Sequence, residues 1–133
     1  MTDFRSFRAS AVVLRHADWG EADRLLTLYT RERGFARALA KGARKVTSRK
    51  AGHLEPFTHV TIQLAQGRDL LIVTQVETIN AFLPLRDSLI KTGYASYVVE
   101  LLLRFSYEGE GANPSVFSLL VQTLERLEAE EDA

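Results

Sequence analysis

Cysteine is absent from the 133-residue chain. That absence removes disulfides and thiolate metal sites together, and it fits a reducing compartment. Long apolar runs are missing too. None exceeds four residues, against the roughly 18 a helix needs to span a bilayer. Met1 to Ser10 carries Asp3, Arg5 and Arg8 with no apolar stretch behind them, so no secretory leader is expected and a cytoplasmic protein is. His16, His53 and His59 follow no metal-ligand spacing. Glu21 and Asp23 stand two apart as a conceivable metal pair, but Arg24 adjoins them. No Ser-His-Asp order, Walker loop or GxGxxG occurs. The expectation is a protein that is not an enzyme and holds no cofactor or metal.

Net charge is also lacking: 17 bases balance 17 acids. The balance hides an asymmetry. Residues 1–84 carry 13 bases and 8 acids, whereas residues 85–133 carry 4 bases and 9 acids. Most of the excess sits in one stretch. Arg31 to Lys50 holds eight bases (Arg31, Arg33, Arg37, Lys41, Arg44, Lys45, Arg49, Lys50) against one acid, Glu32. A basic run is often just a solvated face, but charge this concentrated is a directed field, and a polyanion is what answers it. From Gly42 to Gly52 the residues are small, hydroxylated or basic, with Val46 the apolar exception. That composition reads as a surface loop or one helical turn, whose small residues let backbone N–H groups approach a phosphate while Arg and Lys neutralise it.

The apolar content, 46%, is enough for a core. Five strands are legible. Ala9–His16 is rich in β-branched residues and stops at Asp18-Trp19-Gly20; Glu21–Thr30 and Phe35–Lys41 follow; Phe57–Ala65 alternates; Asp69–Phe82 comes after a Gln66-Gly67-Arg68-Asp69 turn. In the third strand Phe35 and Leu39 share a face with Arg37 and Lys41, so that face cannot be simply interior. Five short strands with a long basic connection between the third and fourth predict an all-β OB-fold barrel, a five-stranded Greek key; an SH3-like barrel has similar spacing. The barrel is expected over residues 1–83.

From Pro84 the period changes to 3.6, predicting a small α-helical region over residues 84–133. In Tyr94–Tyr107, the residues Tyr94, Tyr97, Val98, Leu101, Leu102 and Phe105 form a stripe read as core. Asn113-Pro114 is a capped helix start, with Phe117, Leu120, Val121, Leu124 and Leu127 as the next stripe. Glu128–Asp132 is an acidic end expected to fray. Among the aromatics near the bases, Phe35 and Phe57 suit a barrel core, whereas Trp19, in a turn, is better placed to be exposed and to stack an unpaired base.

The run from Gly20 to Val60 resembles the N-terminal domain of the bacterial recombination mediator RecO. Its specific pieces are Glu21 and Asp23 before a Leu-rich strand, Thr30, Gly34, Ala40-Lys41-Gly42-Ala43-Arg44, Ser48, and Leu54 to Phe57. The likeness continues loosely through Ala95-Ser96-Tyr97, Glu100-Leu101-Leu102 and Phe117 to Leu127. The resemblance implies an OB-fold followed by helices. It implies a cytoplasmic, nucleoid-associated protein that binds single- and double-stranded DNA, anneals strands, and with RecR displaces the single-strand-binding protein SSB so that RecA loads. Lys41, Arg44, Lys45, Arg49 and Lys50 match the family's basic loop and, with Arg37 and Arg24, are the nucleic-acid-binding candidates. Family members run longer, with more helices and sometimes a cysteine-bound zinc. Two helices without such neighbours should leave an apolar patch, and a groove for the SSB tail would lack part of its wall. Two other readings carry the same basic loop: an OB-fold RNA binder, and a scaffold for an acidic protein partner.

Overall fold

The computed structural model describes residues 6–130, so the readings of residues 1–5 and of the acidic end past Glu130 fall outside it. Strands β1 (Ser6–Trp19), β2 (Asp23–Thr30), β3 (Gly34–Ala40), β4 (His59–Gln66) and β5 (Leu71–Asn80) close into a barrel in the order β1-β2-β3-β5-β4. This is the five-stranded Greek key of the OB fold. A single 3₁₀ turn, Ala51–His53, lies in the β3–β4 connection.

Closure depends on β1, which at 14 residues is long enough to serve two neighbours. Its first half, Ser6–Val12, pairs with β4, and Ala11–Trp19 pairs with β2. Between Val13 and Arg15 the register shifts, a β-bulge that bends the strand from one partner to the other. Backbone bonds from the β3–β4 connection hold the bend: Phe57 N–H donates to the Val13 carbonyl at 2.7 Å, and Val13 N–H donates to the Thr58 carbonyl at 3.0 Å. Phe57 therefore belongs to a turn with φ of 71° rather than to β4, and its ring is buried outside the barrel. The barrel closes where β3 runs parallel to β5 through Ala38–Leu71 and Leu39–Ile72.

Two cores result. Inside the barrel, Ala11, Val13, Leu26, Leu28, Ala38, Ala40, Val60, Ile62 and Leu64 interdigitate, with Ala43 and Leu54 of the β3–β4 connection joining the same cluster. Three alanines of β3 (Ala36, Ala38, Ala40) are buried, small side chains suited to a narrow barrel. The second core lies between the barrel wall and the helices, and unites Val12, Leu14, Tyr29, Phe57 and Phe82 with Ala95, Val99, Phe117, Leu120 and Leu124. Alternate residues of β1 thus feed opposite cores.

The helices are α1 (Leu83–Arg86), α2 (Leu89–Phe105) and α3 (Pro114–Ala129). Ser88 caps α2 by accepting from Lys91 N–H, and Asn113 caps α3 by accepting from Val116 N–H at 3.3 Å, with Pro114 in the first turn. The α3 stripe packs inward through Phe117, Leu120 and Leu124, in agreement with its periodicity. The α2 stripe does not. Tyr94, Tyr97 and Phe105 are 59%, 64% and 78% exposed, and the buried residues are Ala95 and Val99. Helix α2 is apolar on nearly every side, so its spacing cannot say which side faces the barrel. The apolar surface expected from two helices alone is present: Leu89, Ile90, Tyr94, Tyr97, Leu101, Phe105 and Leu119 are exposed. Among the described residues no helix is long and apolar enough to cross a membrane.

Candidate nucleic-acid interface

The basic loop leaves β3 at Lys41 and turns at once, with Gly42 in the left-handed region at φ of 69°. Its amide donates to Asp23 Oδ1 at 2.6 Å, tying the loop to the start of β2. Ala43 inserts into the barrel core at 1% exposure. The Arg44 guanidinium then faces back toward the β1–β2 turn: Nη1 pairs with Asp18 Oδ2 at 3.0 Å, Nε donates to the Asp23 carbonyl at 3.0 Å, and Nη2 donates to the Gly20 carbonyl at 2.6 Å. Its backbone N–H donates to the Ala22 carbonyl at 2.9 Å. Arg44 is thus a staple that spends its donors on the protein's own chain.

Successive turns stiffen the remainder. Lys45 N–H donates to Gly42 O, Ser48 N–H to Lys45 O, and His53 N–H to Lys50 O, at 2.9–3.0 Å. Lys50 Nζ reaches across to the Val73 carbonyl of β5 at 3.2 Å. Lys41, Lys45 and Arg49 are exposed. None of the three side chains makes a hydrogen bond or ion pair with another described residue. A fixed backbone therefore carries three unpaired cations, flanked by two cations whose geometry is structural.

The other candidates separate. Arg37 is exposed on β3, with Nη1 3.9 Å from Glu108 Oε1. Both partners are half open to water, where such a pair contributes about 0–1 kcal/mol and yields readily to a competing anion. Arg24 faces the barrel mouth, opposite Asp18 and Ala40 in register. Its Nε is buried and has no hydrogen-bond partner among the described residues.

Sequence spacing missed Arg15. Strict alternation would put it on the same face as Val13, inside the barrel. The bulge turns it outward instead, into a row with Thr27 and Arg37. The next rows on this outer face are Ala17, Leu25 and Leu39, then Trp19 and Asp23, with Lys41 just beyond the end of β3. Trp19 is 45% exposed, while Tyr29 and Phe57 are 2% and 8% exposed.

The histidines do not converge. His16 Nε2 meets Glu55 Oε2 at 2.9 Å, and His53 Nδ1 meets Thr78 Oγ1 at 2.7 Å. His59 Nε2 lies 2.8 Å from Ser10 Oγ, and its ring meets Phe117 edge-on. Burial lowers the His59 pKa below the ordinary imidazole value, opposed by the Glu125 carboxylate. Among the described residues no three His, Asp or Glu side chains gather as a metal site. Asp23, half of the conceivable carboxylate pair, is occupied by the Gly42 amide.

A closed OB barrel with a stapled cationic loop on its rim and helices packed on one flank defines a β + α module of the OB class. Residues 1–82 match the family described as Recombination protein O N terminal, and residues 86–133 match Recombination protein O C terminal. The chain belongs to the recombination protein O family. It is 49% identical over 121 residues to the DNA repair protein RecO of Pelotomaculum thermopropionicum, covering 91% of this chain and 47% of that protein. It is 43% identical over 128 residues to the DNA repair protein RecO of Dehalococcoides mccartyi, covering 96% and 50%. The DNA repair protein RecO of Roseiflexus sp. is 46% identical over 125 residues, covering 94% and 44%. The chain spans about half the length of the curated relatives it matches.

Proposed function

We propose that this chain is a non-enzymatic DNA-binding and strand-annealing module of recombinational repair, working with RecR to displace SSB and load RecA on single-stranded DNA. The observation that carries the reading is the stapled loop. Lys41, Lys45 and Arg49 project from a backbone tied down by Arg44, Asp23 and Lys50. Cations carried on a fixed backbone give up only side-chain freedom on meeting phosphates, and two backbones brought to one cationic rim repel each other less, which is what annealing requires. Such contacts neutralise without reading bases, so both single and double strands are substrates. RecR and the SSB tail enter through kinship with the family. The open apolar groove between α2 and α3, lined by Val98, Leu101, Phe105 and Leu119, supports the reading as a surface an apolar peptide end could use.

The test is fluorescence anisotropy of labelled oligonucleotides across a salt series. If about four to six phosphates are neutralised, the log-log slope for single strands is roughly −3 to −4, at about −0.7 per phosphate. The triple variant Lys41→Glu, Lys45→Glu, Arg49→Glu abolishes binding with the fold intact by circular dichroism. Unchanged binding by that variant removes the loop from the mechanism.

A further inference from the structure

We propose that the outer face of β1, β2 and β3 is a seat for an unpaired strand, with Trp19 stacking one base and Arg15 and Arg37 holding phosphates at the opposite end. The inference rests on the DNA-binding reading and deepens it from the loop to the sheet. Trp19 is the chain's one tryptophan and is 45% exposed, in contrast to Tyr29 and Phe57. A large ring left open to water at the rim of a cationic barrel is poorly explained by packing. Stacking on a base would cover it.

The register supplies the rest of the path. Arg15 and Arg37 flank Thr27 in one row; Ala17, Leu25 and Leu39 make an apolar middle row; Trp19 begins the third. Rows on one face are two residues apart, so Trp19 and Arg15 are separated by about 13 Å along β1, a span that suits a short stretch of strand. Three acids along the path are engaged, Glu108 with Arg37 itself in a solvated pair at 3.9 Å that a phosphate displaces. Asp23 accepts from the Gly42 amide, and Asp18 pairs with Arg44. Arg15 is exposed and makes no ion pair with a described residue. Beyond Arg37 the face is closed, because Tyr29 and Phe35 pack under the helices. A base can lie on Trp19 only if its own faces are free, so the seat favours single strands over duplex, a distinction the loop cations alone do not make.

Having one tryptophan makes the test direct, since emission excited on the red edge, beyond the absorption of the four tyrosines, reports this position alone. The wild-type chain is titrated with oligothymidylate and with a hairpin duplex, while anisotropy of labelled DNA follows binding independently. The expected result is strong quenching by oligothymidylate and little by the duplex. Trp19→Ala lowers single-strand affinity roughly 5- to 150-fold, Trp19→Phe restores much of it, and duplex affinity stays within about twofold. Arg15→Glu weakens single-strand binding without changing the quench at saturation. Anisotropy showing tight single-strand binding with no quenching overturns the seat and leaves the loop reading standing. Equal losses on both DNAs in Trp19→Ala overturn it too, by making Trp19 structural. Absence of binding to either DNA at low salt overturns both readings.

Discussion

Arg44 and Lys45 are adjacent bases with opposite employment. Arg44 makes one carboxylate contact and two carbonyl contacts across the β1–β2 turn, whereas Lys45 extends into water. Hydrogen bonds from a charged donor contribute about 1.5–3 kcal/mol when partly buried, and Asp18 is largely solvated here. Arg44→Ala should therefore cost about 1–3 kcal/mol in urea denaturation, while Lys45→Ala stays within about 0.5 kcal/mol. DNA affinity is expected to fall in both, in Arg44→Ala through loss of loop order. Equal stability of the two variants would contradict the staple. His59 offers a second residue-scale test. Its folded pKa is lowered by burial, so the unfolded chain takes up a proton first on acidification. The stability linked to His59 is complete above about 6.5, the ordinary value, and is lost as pH falls from there through the lower folded value. Melting temperature should drop across that window in the native chain and drop less in His59→Gln.

The elements show what periodicity can and cannot tell. All five strands were legible because half-buried strands alternate, and observed ends differ from expected ones by up to three residues. The β1 bulge was not legible, because it is set by backbone bonds from Phe57 and Thr58, some 45 residues away in sequence. That hidden shift concealed Arg15. Helix α2 shows the complementary failure: when apolar residues surround a helix, the stripe that packs is chosen by its neighbours. The basic loop was recognisable from charge density, but nothing local distinguished the stapling Arg44 from its exposed neighbours. One contact between elements is sharply testable. Gly34, at φ of 73° at the start of β3, lies against the Gly111 carbonyl of the α2–α3 loop, where a Cβ would collide with it. Gly34→Ala adds left-handed backbone strain to that clash and should lower stability by about 1–3 kcal/mol. Proteolysis within Glu108–Ala112 should accelerate as the loop is displaced, and a normal cleavage rate would refute the contact.

At the scale of the whole molecule, cations gather on the barrel and apolar surface on the helices. The exposed row Leu89, Ile90, Tyr94, Tyr97, Leu101 and Phe105 is larger than scattered surface residues would give. A hydrophobic dye should bind the native chain, and Leu101→Asp with Phe105→Asp should reduce that signal without lowering the melting temperature. Concentration-dependent self-association should weaken in the same variant. Unchanged dye binding would place the sticky surface elsewhere.

The cylinder is fastened unevenly. Long antiparallel ladders join four of its five seams, but the parallel one between β3 and β5 rests on two rungs, Ala38–Leu71 and Leu39–Ile72. Each backbone bond contributes a net of only about 0.5–1.5 kcal/mol, so this clasp is where the ring unzips at least expense. Lys50, anchored to β5 at Val73, one position past the Ile72 rung, hangs its strap across that same gap, so a pull on the loop is felt first at the fastening.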